Sequence, residues 1–468
     1  MLGVTRGAAL YVGALIGPGV LLVPSLAAHA AGPASLVAWG LLLLLSIPLA
    51  VTFAALGVRH PVAGGVSTYV EEGFGAGAAA VTGVSFLTAV LFGAPAVALI
   101  GGYYVADLTG SGTPVAVVVG LGMIAAVFAA NTFGLRISSG FQLALSGVLV
   151  GMIALAVAVA LPQRATRNWT PFAPHGWWAV GTAANILIWL FIGWEAMAQL
   201  AGDFRDPRRD LPRAVAAAFA VVAVLYAGLG VATVVVTASS GSRVPLADLV
   251  AVGFGRGGRD ATAVLAVALT MGTMNVYVAS SAKLAASLAR ARALPGWLAG
   301  DAGQTVPRRP LAVLALTSCA LLGALAAGAT SADVLVRATS ACFVAVYVLA
   351  LASAVRIASG ALRAAAATAL LLVCVVGVFS SWYLLVPAVA AVLAVGLRYH
   401  AARHVEGMRD LRQEAGVRPS PVALDGGDEA ALRPEPPARA HPPQGLADPR
   451  VRLHPLPEGR QGAEGRLS

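Results

Sequence analysis

Charge is scarce in this chain. Only 11% of its 468 residues are Asp, Glu, Lys or Arg, against about a quarter in a typical soluble domain. With 58% hydrophobic residues and a mean hydropathy of +0.82, that scarcity excludes an ordinary soluble enzyme. It also excludes a disordered or collagen-like chain, except near the C-terminus. Cysteine is almost missing: Cys319, Cys342 and Cys374 each sit in an apolar run. They are too few for a disulfide framework and lack metal-ligand spacing, so they read as small buried hydrophobes. No P-loop, Ser/His/Asp set or His-x-x-x-His pair occurs, so no catalytic residue, cofactor or metal is expected. The formal net charge is +10, but no basic patch interleaved with aromatics accompanies it, and nucleic acid is not an expected partner. From Arg398 onward the chain holds about 11 basic and 10 acidic residues and is nearly balanced. The excess lies in short loops between apolar runs, where it sets orientation in a bilayer.

Apolar runs are what the sequence has in quantity. A spanning helix needs about 20 mainly apolar residues. About twelve such stretches occur, at 8–27, 35–57, 82–106, 114–133, 139–161, 180–201, 213–237, 261–286, 311–329, 333–355, 362–380 and 382–398. Their length, with Gly, Ala and Ser throughout, predicts helices, since barrel strands alternate over about 10 residues. The expected fold is an all-α membrane protein of about twelve transmembrane helices. The first run lacks a small-residue cleavage pattern and does not read as a signal peptide. With an even number of helices, about 13 loop arginines fall on one side and about 5 on the other. Both termini are therefore expected in the cytoplasm, in a multi-pass protein of the inner (cytoplasmic) membrane. Residues 1–400 form the expected transmembrane domain. Residues 401–468, including RPEPPARAHPPQGLADPRVRLHPLPEGR, are Pro- and Arg-rich and have no apolar period. They read as a disordered cytoplasmic tail, either plainly solvated or used for binding.

Two spanning segments break their own helices. The first reads YVGALIGPGVLLVPS, with Gly17, Pro18 and Gly19 at its middle. Pro18 removes a backbone donor and glycine lowers helix propensity. The tripeptide marks either a kink packed on neighbours or unwound backbone facing a wet cavity. The sixth reads NILIWLFIGWEAMAQL and carries Gly193 and Glu195. Glu195 lies deep within a spanning stretch, where an ionisable group costs about 2.5–3.5 kcal/mol on insertion scales. It is a pathway or proton-coupling residue, or a structural carboxylate holding the break open. Segments one and six correspond if the first ten helices form two halves of five, and paired interruptions point to a transporter site. Half-helix N-termini suit a carboxylate, and freed carbonyls suit an ammonium. The natural ligand of such a site is an amino acid.

At these residues the sequence resembles the amino acid–polyamine–organocation superfamily of transporters. The glycine-interrupted first helix and FIGWEA at 191–196 carry the resemblance. So do the loop GDFRDPRRDLPRA at 202–214 and HPVAGGVSTYVEEGFG at 60–75. In the loop, Asp203 and Asp206 stand where the family usually has Glu and Asn. Within the superfamily, VPSLAA at 23–28 and MNVYVASSAKL at 274–284 resemble most the bacterial exporters of L-methionine and branched-chain amino acids. The resemblance implies a LeuT-like five-plus-five inverted repeat with two further helices. It implies export of neutral, mostly apolar amino acids, with protons as the coupling ion. Gly17, Pro18 and Gly19 would bind the carboxylate through the backbone, with Ile16 and Val20 beside them in the substrate site. Phe191, Ile192 and Gly193 would face the amine, Phe191 or Trp194 would gate, and Glu195 would couple protonation to the cycle. The family's helix-five lysine is absent from FQLALSGVLVGMIAL at 141–155, and no sodium-ligand set is visible.

Other residues have two readings each. Asn275, with Tyr277 in the eighth segment, serves the substrate site or an interhelix hydrogen bond. Lys283 snorkels toward the cytoplasm. Arg337 snorkels outward or joins an ion pair. Asp203, Asp206 and Asp210 alternate with Arg205, Arg208 and Arg209 and are expected to form a charge network latching the inner gate. Phe92, Phe191 and Trp194 suggest an apolar side-chain pocket. The alternatives in function are an amino acid or amine uptake permease, and, from other classes, a membrane sensor or partner protein or a membrane-embedded enzyme. The expected partners are a small amino acid and the lipid bilayer, and the sequence fixes no oligomeric state.

Overall fold

The computed structural model describes residues 2–59, 66–134, 139–163, 166–195, 201–237, 241–300 and 306–414. The helices are α1 (Val4–Leu15), α2 (Val23–Ala31), α3 (Ser35–Arg59), α4 (Val66–Leu108), α5 (Thr113–Thr132), α6 (Ser139–Ala160) and α7 (Trp178–Leu187). They continue with α8 (Pro207–Thr237), α9 (Pro245–Arg290), α10 (Arg308–Ala326), α11 (Ala332–Ile357), α12 (Gly360–Val378) and α13 (Leu385–Glu414). Among the described residues no β-strand forms beyond one isolated bridge. Among the described residues, ten helices are long and apolar enough to cross a membrane. Of the two other expected spans, the first is present as α1, a 3-10 turn and α2, and the sixth, described as far as residue 195, as α7 followed by a 3-10 turn. The protein is an all-α, multi-pass membrane protein.

Local chemistry sets these elements. Proline sits in the first turn of α2, α5 and α9, where its missing N–H has no intrahelical partner to lose. Ser331 caps α11 by accepting from the Val334 N–H at 3.4 Å. Hydroxyls inside the bundle bond to the carbonyl four residues back, as in Ser46 to Leu42, Thr233 to Leu229 and Thr339 to Leu335. That local bond lets a polar group sit in apolar surroundings.

Two helices start earlier than hydropathy predicts. α4 begins at Val66 and not 82, and α9 begins at Pro245 and not 261. Each is two pieces joined at a glycine with positive φ, Gly75 (φ 82°) and Gly255 (φ 55°), a conformation side chains disfavour. The leading pieces carry Glu71, Glu72 and Asp248, so an apolar window passes over them. α13 runs past 400 to Glu414. The chain divides into compact units at Val405 and Glu406, and residues 415–468 of the expected tail lie outside the described residues. In the first unit α4 packs on α5, α9 and α11, α1 on α8, and α2 on α7. The two halves of the first segment thus lean on different partners.

Candidate substrate site

Both interruptions are true gaps in hydrogen bonding. α1 ends at Leu15. Ile16 (φ −91°, ψ 87°) and Gly17 (φ −104°, ψ −175°) are extended, and Pro18–Leu21 form a single 3-10 turn before α2. In the sixth segment α7 ends at Leu187, and Ile188–Phe191 make a 3-10 turn. Ile192 is then extended and Gly193 takes φ 131°, a backbone state that favours glycine. Carbonyls freed in an apolar interior need donors, and tyrosines supply them. Tyr226 of α8 donates to Leu15 O at 2.9 Å and Leu190 O at 3.1 Å, joining the two breaks. Tyr104 of α4 donates to Leu21 O at 2.9 Å.

Glu195 belongs to the same arrangement. Its Oε2 accepts from the Gly193 N–H at 2.9 Å and from the Tyr347 hydroxyl of α11 at 2.5 Å. The Gly193 N–H also points at the Tyr347 oxygen, at 3.3 Å. Phe53 packs on Tyr347 with ring centroids 5.5 Å apart. The carboxylate therefore ties the sixth segment to α11 through short, charge-assisted bonds.

Beside the breaks lies a mainly apolar cavity. One wall is the backbone of Gly17, Pro18 and Gly19, and the facing wall is Ala89, Val90, Gly93, Ala94 and Val97 of α4. Trp189, Leu190, Ile192, Met274, Thr339 and Phe343 complete it, with Thr273 and Tyr277 of α9. Among the described residues, no Asp, Glu, Lys, Arg or His lines it. A Cβ placed on Gly17 would meet nothing within 4 Å, so that position borders free space. A second cavity adjoins on one side and is more polar, lined by Ser67, Thr82, Gln142, Ser146, Gly193 and Glu195. A third, on the other side of the first break, is lined by His29, Tyr103, Arg243, Asp333 and Arg337.

The structure distributes the candidate residues as follows. Gly17, Pro18, Gly19 and Ile192 face the apolar cavity, while Ile16, Gly193 and Glu195 face the polar one. Val20 is buried outside both linings. Phe191 is fully buried between Trp39 and Tyr226. Trp194 is fully buried beside Phe219. Phe92 packs with Ala338, Ala341 and Tyr383. In a 3-10 turn residues i and i+3 share a face. That puts Trp189 and Ile192 on the cavity side and Ile188 and Phe191 on the other. Asn275 accepts a hydrogen bond from Asn131 of α5 at 2.8 Å and does not line the cavity. Arg337 lies 3.7 Å from Asp333 and stacks on Tyr383 at 4.7 Å. In the loop after the sixth segment, among the described residues, no ion pair joins the alternating Asp and Arg residues to one another. There the main chain does the linking: Leu2 N–H donates to Asp203 O at 2.8 Å, and Arg205 N–H donates to Leu2 O at 3.1 Å. The sequence did not single out Tyr104, Tyr226, Tyr347 and Trp189. Each is an aromatic in an apolar run, and their partners lie far off in the chain.

A helical membrane protein with two interrupted spans converging on one apolar cavity has the build of a small-molecule transporter. Residues 2–399 match the family model described as amino acid permease. The chain is 32% identical over 399 residues to the uncharacterized amino acid permease YecA of Bacillus subtilis, covering 82% of this chain and 92% of that one. It is 30% identical over 370 residues to the L-methionine/branched-chain amino acid exporter YjeH of Escherichia coli, covering 77% and 87%. A partial match, 26% over 235 residues, reaches the branched-chain amino acid permease BcaP of Bacillus subtilis, covering 46% and 50%. The chain belongs to the amino acid permease family, within the amino acid–polyamine–organocation superfamily of transporters, and not to an enzyme family.

Proposed function

We propose that this protein moves neutral, apolar amino acids such as methionine, leucine and isoleucine outward across the cytoplasmic membrane. It does so by proton antiport and alternating access. The observation that carries this reading is the cavity at the double break. Its backbone wall can receive an α-carboxylate and ammonium, and the rest of its lining has no charged side chain. A charged substrate side chain would enter that space uncompensated, at a cost of several kcal/mol. Gly17 and Gly19 hold the carboxylate through their N–H groups at the 3-10 turn that Pro18 opens. Carbonyls around Ile192 and Gly193 take the ammonium. Glu195 is the proton site, its bonds to Gly193 and Tyr347 breaking or forming with its charge. The helices pair as two inverted halves of five plus two. The two interruptions correspond, and so do the two glycine-kinked helices α4 and α9. Loop arginines place both termini in the cytoplasm. Outward transport is favoured by the exporter among the relatives.

The test is exchange by purified protein in proteoliposomes loaded with unlabelled amino acid, with and without an imposed proton gradient. Labelled methionine and leucine are expected to enter, and to accumulate when protons leave as they enter. Exchange indifferent to the gradient removes proton coupling, and no exchange of any neutral amino acid removes the substrate class. Accumulation in cells lacking the gene separates export from uptake.

A further inference from the structure

The apolar cavity and the polar vestibule beside it share five lining residues: Ala14, Gly17, Pro18, Thr273 and Tyr277. Three of these are backbone and small groups of the first break, and they move only if the segment moves. Thr273 is a short side chain whose hydroxyl faces the Gln142 amide at 3.5 Å. Tyr277 alone brings a large group on a rotatable bond to the boundary. It stands four residues after Thr273 on α9, so both present the same helical face. Its exposure is 42%, and Val276 before it, which also lines the vestibule, is exposed by 50%, while Met274 and Val278 are buried. The ring is therefore only partly packed and stands on the stretch of α9 that borders the vestibule.

We propose that the Tyr277 ring is the door between the substrate cavity and the vestibule. It is a steric gate that swings about χ1 between staggered positions and lets the cavity exchange contents without rearranging the bundle. The position differs from the gates expected at Phe191 and Trp194, both of which are packed away from the cavity. The door acts through the bulk of the ring, not through its hydroxyl. This rests on the proposal that the apolar cavity holds the substrate, but its test needs no substrate.

The experiment places a reporter thiol behind the door and another in front of it. Ala94 lines only the apolar cavity, and Ser67 lines only the vestibule. Ala94→Cys and Ser67→Cys are made separately, and labelling is read as the increment over the parent chain with its three native cysteines. The reagent is a membrane-impermeant, positively charged methanethiosulfonate added to inside-out vesicles. Ser67→Cys is expected to label quickly whatever stands at 277. Ala94→Cys is expected to label slowly with Tyr277 or Tyr277→Phe, and about tenfold faster or more with Tyr277→Ala or Tyr277→Leu. An Ala94→Cys rate unchanged in both small variants, with Ser67→Cys reacting normally, overturns the door. Added leucine is expected to slow Ala94→Cys labelling. Acceleration by Tyr277→Ala without protection by any neutral amino acid supports the door and overturns the substrate reading alone.

Discussion

The two ends of the path through the molecule are held by different chemistry. At the end proposed to face outward, cations and carboxylates meet directly. Arg259 of α9 makes two bonds of 2.6 Å to Asp107 and one of 2.7 Å to Asp248. It thereby fixes both pieces of its own kinked helix against the last turn of α4. Arg337 sits near Asp333, and the Arg243 guanidinium lies over the Tyr103 ring at 5.1 Å. At the opposite end, the vestibule lining holds one carboxylate, Glu195, among hydroxyl, amide and apolar groups. Its partners are a tyrosine and a backbone amide, neither of which carries charge. A carboxylate gripped by a bidentate arginine holds its place. One satisfied by neutral donors can lose or gain a proton without leaving an orphaned cation. The first end is built to clamp and the second to respond.

The largest effect expected is at the junction of the two ends. Gly17→Leu fills free space beside the backbone wall and should reduce exchange to the level of empty liposomes, with the protein still monodisperse and thermally stable. Normal exchange by that variant would move the substrate elsewhere. Next comes the responsive end. Glu195→Gln keeps a hydrogen-bond acceptor for Tyr347 and Gly193 but cannot ionise. Its transport rate should become flat across the pH range in which the parent's rate changes. A retained pH profile would leave Glu195 a structural tie.

The clamp should break more gently. Arg259→Met leaves Asp107 and Asp248 facing one another without their cation. The guanidinium side chain is 35% exposed, so solvent screening discounts the loss, expected at about 1–2 kcal/mol of thermal stability in detergent. Its pH dependence of transport should match the parent's, the opposite pattern to Glu195→Gln. The smallest effect is at Asn131 and Asn275. A double-mutant cycle to alanine should give a coupling of about 0.6 kcal/mol, as for other hydrogen bonds between membrane helices. Leucine affinity should stay unchanged, since Asn275 does not line the cavity.

The positions of the two breaks were legible in the sequence because Gly17-Pro18-Gly19 and Gly193-x-Glu195 violate the pattern around them. An ionisable residue in an apolar run stands out for the same reason. What was not legible depends on partners far away in the chain. Tyr347 meets Glu195 across 152 residues and Tyr226 meets Leu15 across 211, and nothing in the apolar runs around them marks the pairing. In the sixth segment the resemblance pointed to Phe191, Ile192 and Trp194. Ile192 lines the cavity, with Trp189 beside it, while Phe191 and Trp194 pack against Trp39, Tyr226 and Phe219 because a tight turn followed by an extended residue turns them away. The leading pieces of α4 and α9 were missed because hydropathy detects burial in lipid and not helix formation by residues that carry charge.

The central claim is that the uncharged cavity at the double break selects neutral side chains. Competition against labelled leucine in proteoliposomes, with isoleucine, methionine, lysine and glutamate as competitors, tests it most directly. Isoleucine and methionine should inhibit exchange while lysine and glutamate leave it untouched at equal concentration. Inhibition by lysine or glutamate as strong as that by isoleucine would contradict it.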